Sequence, residues 1–211
     1  MSLGGLQFSH QAGQAALLGV SGQPERVPYS IASSPSESAA HGYLEFLLKL
    51  EPDGWGTHLA GLRRGSRVAV EGPFGSFVLP AAPVETQFLF VAGGTGIAPL
   101  RSMIVQAVET ALPGRLHLLY SARTPADFAY LAELRRLQRG GNLELALNAT
   151  RQIPSRWRSE RGRISQDQLA RLVEEPATLC FVCGPAAMVD EVPRMLRRLG
   201  VAARRIRVEE W

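Results

Sequence analysis

The sequence predicts two domains, an antiparallel Greek-key β-barrel followed by an α/β domain with a parallel sheet. Up to residue 80, short alternating apolar runs are broken by Gly, Pro and Ser, which is typical of a small antiparallel barrel. After residue 86, strand and helix patterns alternate, which favours a parallel sheet with helices on both faces. The turn-rich stretch PAAPVE separates the two patterns, so we assign residues 4–82 to the barrel and 86–211 to the second domain.

The first domain shows strand patterns and no convincing helix longer than two turns. Its predicted strands are 13–20, 26–33, 42–50 and 66–79. The second domain opens with the apolar run 88–92, as expected for a strand buried on both faces. The elements predicted after it are a helix from 97, strand 116–122, helix 125–138 capped by Thr124, strand 142–149, helix 165–173, strand 178–184, helix 185–200 and strand 204–208.

A glycine-rich turn lies between the first strand and the first helix of the second domain. Its backbone N–H groups and the helix dipole can hold a phosphate, and glycines let the diphosphate of a dinucleotide approach the backbone. A proline suits the first turn of the helix, where its missing donor costs nothing. The candidate residues are Gly93, Gly94, Thr95, Gly96 and Pro99. The alternative is an ordinary strand–turn–helix connection, which also favours glycine.

Composition excludes several classes of protein. The 211 residues are 45% hydrophobic and 20% charged, as in ordinary globular proteins. We found neither an apolar run of about 20 residues nor a basic-then-apolar leader, so we expect a cytoplasmic protein without membrane insertion. The net charge of +4 comes from many arginines and the single Lys49. Because no aromatic-basic platform or recognition helix accompanies it, we expect no nucleic-acid partner.

Two cysteines, Cys180 and Cys183, are three residues apart in the apolar run LCFVCGP. Residues at this spacing on a strand point to opposite faces, and two thiols cannot close a tetrahedral metal site. An iron–sulfur cluster needs more ligands than these two. We therefore expect no metal and no cluster in this chain.

Five stretches in a fixed order resemble one family of enzymes. They are PYSIASSP, GYLEFLLKL, GWGTHLAGLRRGSRVAVEGPFGSF, AGGTGIAP and CGPAAMV. Together they are similar to the ferredoxin–NADP reductase superfamily, and the likeness runs from about residue 8 to residue 211. The resemblance implies a flavin-binding barrel followed by a domain that binds a nicotinamide nucleotide.

In that family, an Arg-x-Tyr-Ser motif at a barrel strand holds the flavin. The resemblance implies that the Tyr29 ring stacks on the isoalloxazine and that the Ser30 hydroxyl lies near flavin N5. The arginine of the motif, which neutralises the diphosphate in relatives, is displaced here. Val27 occupies its place and Arg26 stands one residue earlier, so Arg26 reaches the diphosphate only if the strand bulges there.

The second flavin motif of the family is glycine followed by serine or threonine at a helix start. Gly54, Gly56 and Thr57 match it, and such a helix start suits FAD better than FMN. A helix cap without a ligand is the alternative. Leu48 and Lys49 match the strand that offers backbone groups to the flavin's pyrimidine ring.

The resemblance also names residues at the nicotinamide. Cys183 borders the hydride path, Glu209 is the matching acid, and Trp211 is the terminal aromatic ring over the flavin. Further cofactor-binding residues in the same segment as the cysteine are Gly184, Pro185 and Met188. Ser30, Cys183 and Glu209 are thus the predicted catalytic residues.

Three arginines bear on the choice of nicotinamide nucleotide. Arg123 and Arg151 each follow a predicted strand, and Arg163 lies in the GRI segment. Arginine suits the extra phosphate of NADPH. The trio resembles that of bacterial NADP-using relatives, which favours NADPH over NADH. Any one of them could also stand at a strand end by chance.

The predicted function is transfer of a hydride from NADPH or NADH to FAD, and of electrons onward to a separate carrier such as a ferredoxin, a flavodoxin or an oxygenase component. The alternatives are a non-autonomous electron-transfer subunit of a larger complex and a flavin-binding module without turnover. Relatives usually begin one or two strands earlier, which leaves three alternatives: another chain completes the barrel, the sequence is truncated, or the barrel lacks its first strand and is open. Its open edge could associate with another protein.

Overall fold

A computed structural model describes residues 1, 8–49, 59–152 and 154–210. The first part of the chain forms a three-stranded antiparallel sheet in the order β2-β1-β3. Its strands are β1 (Ala15–Val20), β2 (Val27–Ser30) and β3 (Val68–Phe74), and helix α1 (Pro35–His41) follows β2. This sheet is the barrel-like portion of the predicted first domain.

The second part of the chain is a six-stranded parallel sheet with helices on both faces, in the order β7-β6-β5-β4-β8-β9. Its strands are β4 (Gln87–Gly93), β5 (Arg115–Ala122), β6 (Glu144–Ala149), β7 (Glu160–Arg161), β8 (Leu179–Gly184) and β9 (Ile206–Glu210). Its helices are α2 (Ile97–Glu109), α3 (Leu131–Arg139), α4 (Gln166–Leu172) and α5 (Ala186–Arg198). The predicted fold class, a barrel-type antiparallel domain followed by an α/β domain, is confirmed.

Each face of the parallel sheet has its own hydrophobic core. Phe88 and Phe90 of β4 pack with residues of α2 and α3, whereas Leu89 and Val91 pack with residues of α4 and α5. Every residue of β4 is buried, as its apolar run predicts. Cys183 belongs to the first core and Cys180 to the second, so the two thiols do point to opposite faces.

The strand predicted at 42–50 is wrong in its described part. Residues 43–49 contact the residue that follows β2 through an isolated bridge between Ile31 and Phe46, and they do not form a continuous strand pair there. The backbone of this segment is satisfied in other ways, because Ala32 N–H donates to the carbonyl of Glu45 (2.8 Å) and Leu44 N–H to that of Met1 (2.8 Å). An alternating apolar pattern reports burial, and Leu44 is buried, but it does not guarantee continuous strand pairing.

Helix α1 was not predicted, although its start has a readable signal. Ser34 accepts a hydrogen bond from the Glu37 N–H, and the Glu37 carboxylate accepts one from the Ser34 N–H. This reciprocal pair is a capping box, with Pro35 in the first turn.

The helix predicted at 125–138 begins later than expected. Thr124 caps a short 3₁₀ turn, Pro125–Asp127, rather than the helix. Phe128 is then extended and Tyr130 is left-handed (φ 59°), so α3 begins at Leu131. The buried Phe128 ring packs edge-on against Tyr120, with 4.9 Å between ring centroids, and this tertiary contact interrupts the local helical pattern.

The described residues bear on membrane crossing and on metal binding. Among them, no helix has both the length and the apolar character needed to cross a bilayer. In the same part of the chain, no group of three or more His, Cys, Asp or Glu side chains is placed to hold a metal ion.

Candidate active site

The glycine turn joins β4 to α2 and lies against the carboxyl end of β8. The 3₁₀ turn Gly94–Gly96 leads directly into Ile97, the first residue of α2. Gly94 is exposed and left-handed (φ 55°), a conformation that glycine adopts without steric cost. A Cβ added at Gly96 would lie 2.3 Å from the carbonyl oxygen of Cys183, so this backbone contact requires glycine. Pro99 is buried in the first turn of α2, as expected.

Met188 closes the other side of the turn. A Cβ at Gly93 would lie 2.8 Å from Met188 Cε and from Pro185 Cδ, and one at Gly184 would lie 2.8 Å from Met188 Sδ. Five residues that the sequence analysis assigned to the nicotinamide nucleotide therefore meet in one compact unit. They are Gly93, Gly96, Gly184, Pro185 and Met188.

Tyr120 also holds the turn, and the sequence analysis missed it. Its hydroxyl donates to the carbonyl of Gly94 (3.1 Å) and accepts from the N–H of Ala129 (3.2 Å). The side chain is fully buried, and burial raises the pKa of this phenol far above its ordinary value. A tyrosine near the end of the mostly apolar strand LHLLYSA is a signal that could have identified it.

The three predicted catalytic residues come together although they are far apart in sequence. The Ser30 hydroxyl donates to Glu209 Oε2 (3.3 Å), which joins the end of β2 to β9. In the pairing of β8 with β9, Cys183 lies directly beside Glu209. The barrel strand and the parallel sheet thus meet at these three residues.

Burial raises the pKa of Glu209 to about 7, and the hydrogen bond from Ser30 opposes this shift. A carboxyl with this pKa is divided between its protonated and ionised forms near neutral pH. It can therefore hold or release a proton beside the Ser30 hydroxyl.

Tyr29 lies in an apolar cluster of the first domain. It is 7% exposed and packs with Leu18, Val27 and Leu59. Leu48 is half-buried against the same cluster, and Lys49 is exposed at the end of the described segment.

Arg26 bonds to Glu71 of β3 and to the turn that precedes β2. Its Nε donates to Glu71 Oε1 (3.2 Å), and its Nη1 donates to the carbonyls of Gln23 (2.6 Å) and Glu25 (2.8 Å). The register of β1 with β2 is continuous from Leu18 opposite Val27 to Ala15 opposite Ser30, without a bulge in β2. Contact between Arg26 and a flavin diphosphate stays a prediction.

The three predicted phosphate-binding arginines divide into a pair and a single residue. Arg123 and Arg151 are exposed after β5 and β6, and the Arg151 N–H donates to the carbonyl of Arg123 (2.6 Å). Arg163 is 79% exposed and lies 3.8 Å from Glu191. Four further predicted cofactor residues, Gly54, Gly56, Thr57 and Trp211, lie outside the described residues.

The described residues fit two nucleotide cofactors. The glycine turn at the start of the 13-residue helix α2 has the form of a diphosphate cradle. On the barrel side, Ser30 and Tyr29 suit an aromatic flavin ring by their chemistry, and the apolar side chains packed around the 7% exposed Tyr29 must move apart before a ring can stack on it. Two clefts of about 520 Å³ each lie away from this site, at the β1–β2 hairpin and at the amino ends of β5 and β6.

Two family models match the chain in the same order as its two sheets. Residues 6–79 match the oxidoreductase FAD-binding domain, and residues 90–194 match the oxidoreductase NAD-binding domain. The first model includes Tyr29 and Ser30, and the second includes the glycine turn and Cys183.

Known proteins resemble the chain over nearly its whole length. Ferredoxin–NADP reductase B of Sorangium cellulosum is 32% identical over 218 aligned residues, which cover 98% of this chain and 87% of the relative. The reductase component of propane 2-monooxygenase from Mycolicibacterium smegmatis is 34% identical over 87% of this chain and 54% of the relative. The chain thus spans about half the length of that second relative.

Solved structures share the fold. The cytochrome P450 reductase GcoB of Amycolatopsis superposes with a TM-score of 0.84 and 26% identity, covering 98% of this chain and 62% of that one. A ferredoxin–NADP⁺ reductase of Neisseria gonorrhoeae superposes with a TM-score of 0.79 at 20% identity. From the two matching domains and these relatives, we conclude that the chain belongs to the ferredoxin–NADP reductase superfamily and is an NAD(P)H-dependent flavoprotein reductase with FAD as its cofactor.

Proposed function

We propose that this chain passes a hydride from NADPH to FAD at the meeting point of Ser30, Glu209 and Cys183, and passes the electrons on to a separate carrier protein. The observation that carries the proposal is the 3.3 Å hydrogen bond from Ser30 to Glu209, beside Cys183 in the strand pairing. It joins the flavin-side and nicotinamide-side residues in one place. Holding donor and acceptor in contact is the main contribution that a protein makes to such a transfer.

Each part of the chain has a defined task in this proposal. The turn Gly93–Gly96 holds the diphosphate of the nicotinamide nucleotide, and Tyr120 holds the turn. Tyr29 provides an aromatic face for the flavin, while Ser30 and Glu209 keep an exchangeable proton at the Ser30 oxygen. Bound FAD supplies the redox chemistry, since it accepts a hydride and can release electrons singly or in pairs.

NADPH is the preferred donor in this proposal. Its additional phosphate carries negative charge that NADH lacks, and arginine binds phosphate through paired charge-assisted hydrogen bonds. Arg123 and Arg151 are exposed and adjacent at the carboxyl ends of β5 and β6, where ligands of such sheets bind. Arg163, 3.8 Å from Glu191, contributes less because that carboxylate competes for it.

The electron acceptor is a separate protein or domain in this proposal. Two relatives are the reductase component of propane 2-monooxygenase and the electron transfer component of xylene/toluene monooxygenase, of which this chain covers 54% and 49%. A ferredoxin, a flavodoxin or an oxygenase component would suit this chain. Within the described residues β2 and β3 form the edges of the first sheet, so association there remains part of the proposal. Light scattering would test it, and cell fractionation would test the predicted cytoplasmic location.

The direct test is an absorbance spectrum of the purified protein under anaerobic conditions, before and after NADPH is added. The proposal expects bound FAD that is bleached by NADPH, and renewed colour when a one-electron acceptor is supplied. Bound flavin that neither NADPH nor NADH bleaches would favour a flavin-binding module without turnover. Bleaching that requires a partner protein would favour the subunit of a larger complex.

A further inference from the structure

A buried arginine of α2 connects the two cofactor-binding domains. Arg101 is 5% exposed, and its guanidinium donates to both oxygens of Glu37 (2.9 Å each) and to both oxygens of Glu133 (2.7 and 2.8 Å). It also donates to the carbonyl of Ala32 (2.8 Å) and lies over the ring of Tyr130, 4.9 Å from its centroid. A buried arginine is rare unless it is paired, and this one has two carboxylate partners.

The two carboxylates belong to different domains. Glu37 lies within the FAD-binding match, at the start of α1, whereas Arg101 and Glu133 lie within the NAD-binding match. Burial alone would raise the pKa of Glu37, but hydrogen bonds from Arg101 and Ser34 outweigh it and hold the pKa below its ordinary value. Glu37 is therefore ionised at neutral pH and forms a strong cross-domain ion pair.

Arg101 also lies between the two halves of the active site. Toward the nicotinamide side, α2 begins at the glycine turn, four residues before Arg101. Toward the flavin side, Arg101 binds the carbonyl of Ala32, and Ser102 donates to the carbonyl of Ser33 (2.8 Å). Ala32 and Ser33 are fully buried and follow Ser30 by two and three residues. One helix thus fixes the dinucleotide turn and the backbone behind Ser30 relative to each other.

We propose that Arg101 is a positioning residue for hydride transfer, which sets the placement of the Ser30 strand relative to the glycine turn through its contacts with Glu37 and Ala32. Its action is indirect, because its guanidinium donates to Glu37, Glu133 and the carbonyl of Ala32 and acts on Ser30 through the backbone that follows it. The inference rests on the proposed function. It predicts that the cross-domain pair affects the rate of transfer, while the pair within the NAD-binding domain affects stability alone.

The two carboxylates provide a matched pair of variants. Glu37→Gln and Glu133→Gln each remove one negative charge from Arg101 and leave the other ion pair in place. Glutamine at position 37 can still accept from the Ser34 N–H, so the capping box of α1 is kept. Arg101→Lys is the third variant, because lysine keeps the charge but cannot bind two carboxylates and a carbonyl in the geometry of a guanidinium.

The experiment measures flavin reduction in a single turnover, at saturating NADPH and below the melting temperature of every variant. A misplacement of about 1 Å can lower a rate about 100-fold, so we expect Glu37→Gln and Arg101→Lys to lower the reduction rate constant about tenfold or more. The dissociation constant for NADPH should stay within about twofold of wild type. Glu133→Gln should reduce flavin at nearly the wild-type rate, even where its melting temperature falls as much as that of Glu37→Gln.

Equal reduction rates in Glu37→Gln, Glu133→Gln and wild type would overturn the inference and leave Arg101 a structural residue. Equal loss of rate in both carboxylate variants would also overturn it, because the effect would not depend on the cross-domain contact. A wild-type protein whose bound flavin NADPH does not reduce would instead refute the proposed function itself. The two failures are therefore distinguishable in one set of measurements.

Discussion

The two halves of the molecule position their parts of the active site in different ways. In the NAD-binding half, six strands pair in one sheet, and β4 and β8 are buried along their whole length. In the FAD-binding half, the described residues form a three-stranded sheet, and residues 43–49 meet it through an isolated bridge. The NAD-binding half places its ligand-binding turns by regular strand pairing, since the carboxyl ends of parallel strands lie at one edge of the sheet.

The flavin side depends more on contacts from the other half. Ser30 binds Glu209 of β9, and the next buried residues, Ala32 and Ser33, are held by Arg101 and Ser102 of α2. We therefore expect changes at the glycine turn to disturb both sites. Changes to exposed residues of one half should affect a single cofactor.

The largest effect is expected at the contact between the glycine turn and β8. Gly96→Ala should lower the free energy of unfolding by about 3 kcal/mol, because its Cβ would lie 2.3 Å from the backbone oxygen of Cys183, which cannot rotate away. Urea denaturation measures this change. Gly61→Ala is the control, since a Cβ there meets nothing within 4 Å, and it should be no less stable than wild type. Equal stabilities for the two variants would contradict the close packing of the two halves of the nicotinamide site.

The next largest effect is expected on the binding of NADPH and not of NADH. The double variant Arg123→Ala/Arg151→Ala should raise the KM for NADPH about 30-fold and leave that for NADH unchanged, because the lost contacts are to the additional phosphate. Steady-state kinetics with both nucleotides provide the comparison. Arg135→Ala/Arg136→Ala removes two exposed arginines from α3 and should change neither KM. An equal rise in both constants would remove the preference for NADPH.

Glu209 offers a test by pH. Its pKa of about 7 in the folded protein lies above the ordinary 4.5, so its contribution to stability is complete at low pH and is lost as the pH rises from about 4.5 to 7. Glutamine at position 209 does not titrate. Relative to Glu209→Gln, the free energy of unfolding of the wild type should therefore fall by about 2 kcal/mol over this pH range. Denaturation at several pH values measures the difference. The neighbouring exposed variant Glu210→Gln should follow the wild-type profile, and a parallel profile for Glu209→Gln would argue against a raised pKa at the half-buried Glu209.

The smallest effect on stability is expected from the Tyr120 hydroxyl. Tyr120→Phe removes the hydroxyl that donates to the Gly94 carbonyl, which costs about 1 kcal/mol of stability. The Ala129 N–H also loses this hydroxyl but keeps its hydrogen bond to the Asp127 carbonyl (3.0 Å). The KM for NADPH and for NADH should rise together, since both nucleotides share the turn. Tyr43→Phe removes a phenol oxygen away from the turn and should leave both constants unchanged. A KM unaffected by Tyr120→Phe would mean that the Tyr120 hydroxyl does not set the shape of the turn.

The sequence was most informative where local pattern and burial agree. The apolar run of β4, the glycine turn and the opposite placement of Cys180 and Cys183 all follow from strand and turn chemistry within a few residues. The strand prediction for 42–50 was wrong in its described part because alternating apolar residues indicate burial without indicating a pairing partner. The predicted start of α3 was too early because Phe128 packs on Tyr120, a tertiary contact that local helix propensity does not predict.

Local sequence patterns could not predict contacts between residues that are far apart in the chain. Ser30 and Glu209 are 179 residues apart, and the resemblance to a family assigned them to one site where periodicity could not. Arg101 was missed for a different reason. A charged residue in a helix is usually exposed, and its burial depends on Glu37 and Glu133 arriving from two other helices.

The central claim is that the barrel side and the sheet side form one site for hydride transfer. Anaerobic single-turnover reduction by NADPH, compared with NADPH deuterated at the transferred position, tests it most directly. We predict that the flavin absorbance bleaches in one exponential phase that is slower with deuterium. Bound flavin that stays oxidised with NADPH and with NADH would contradict the claim.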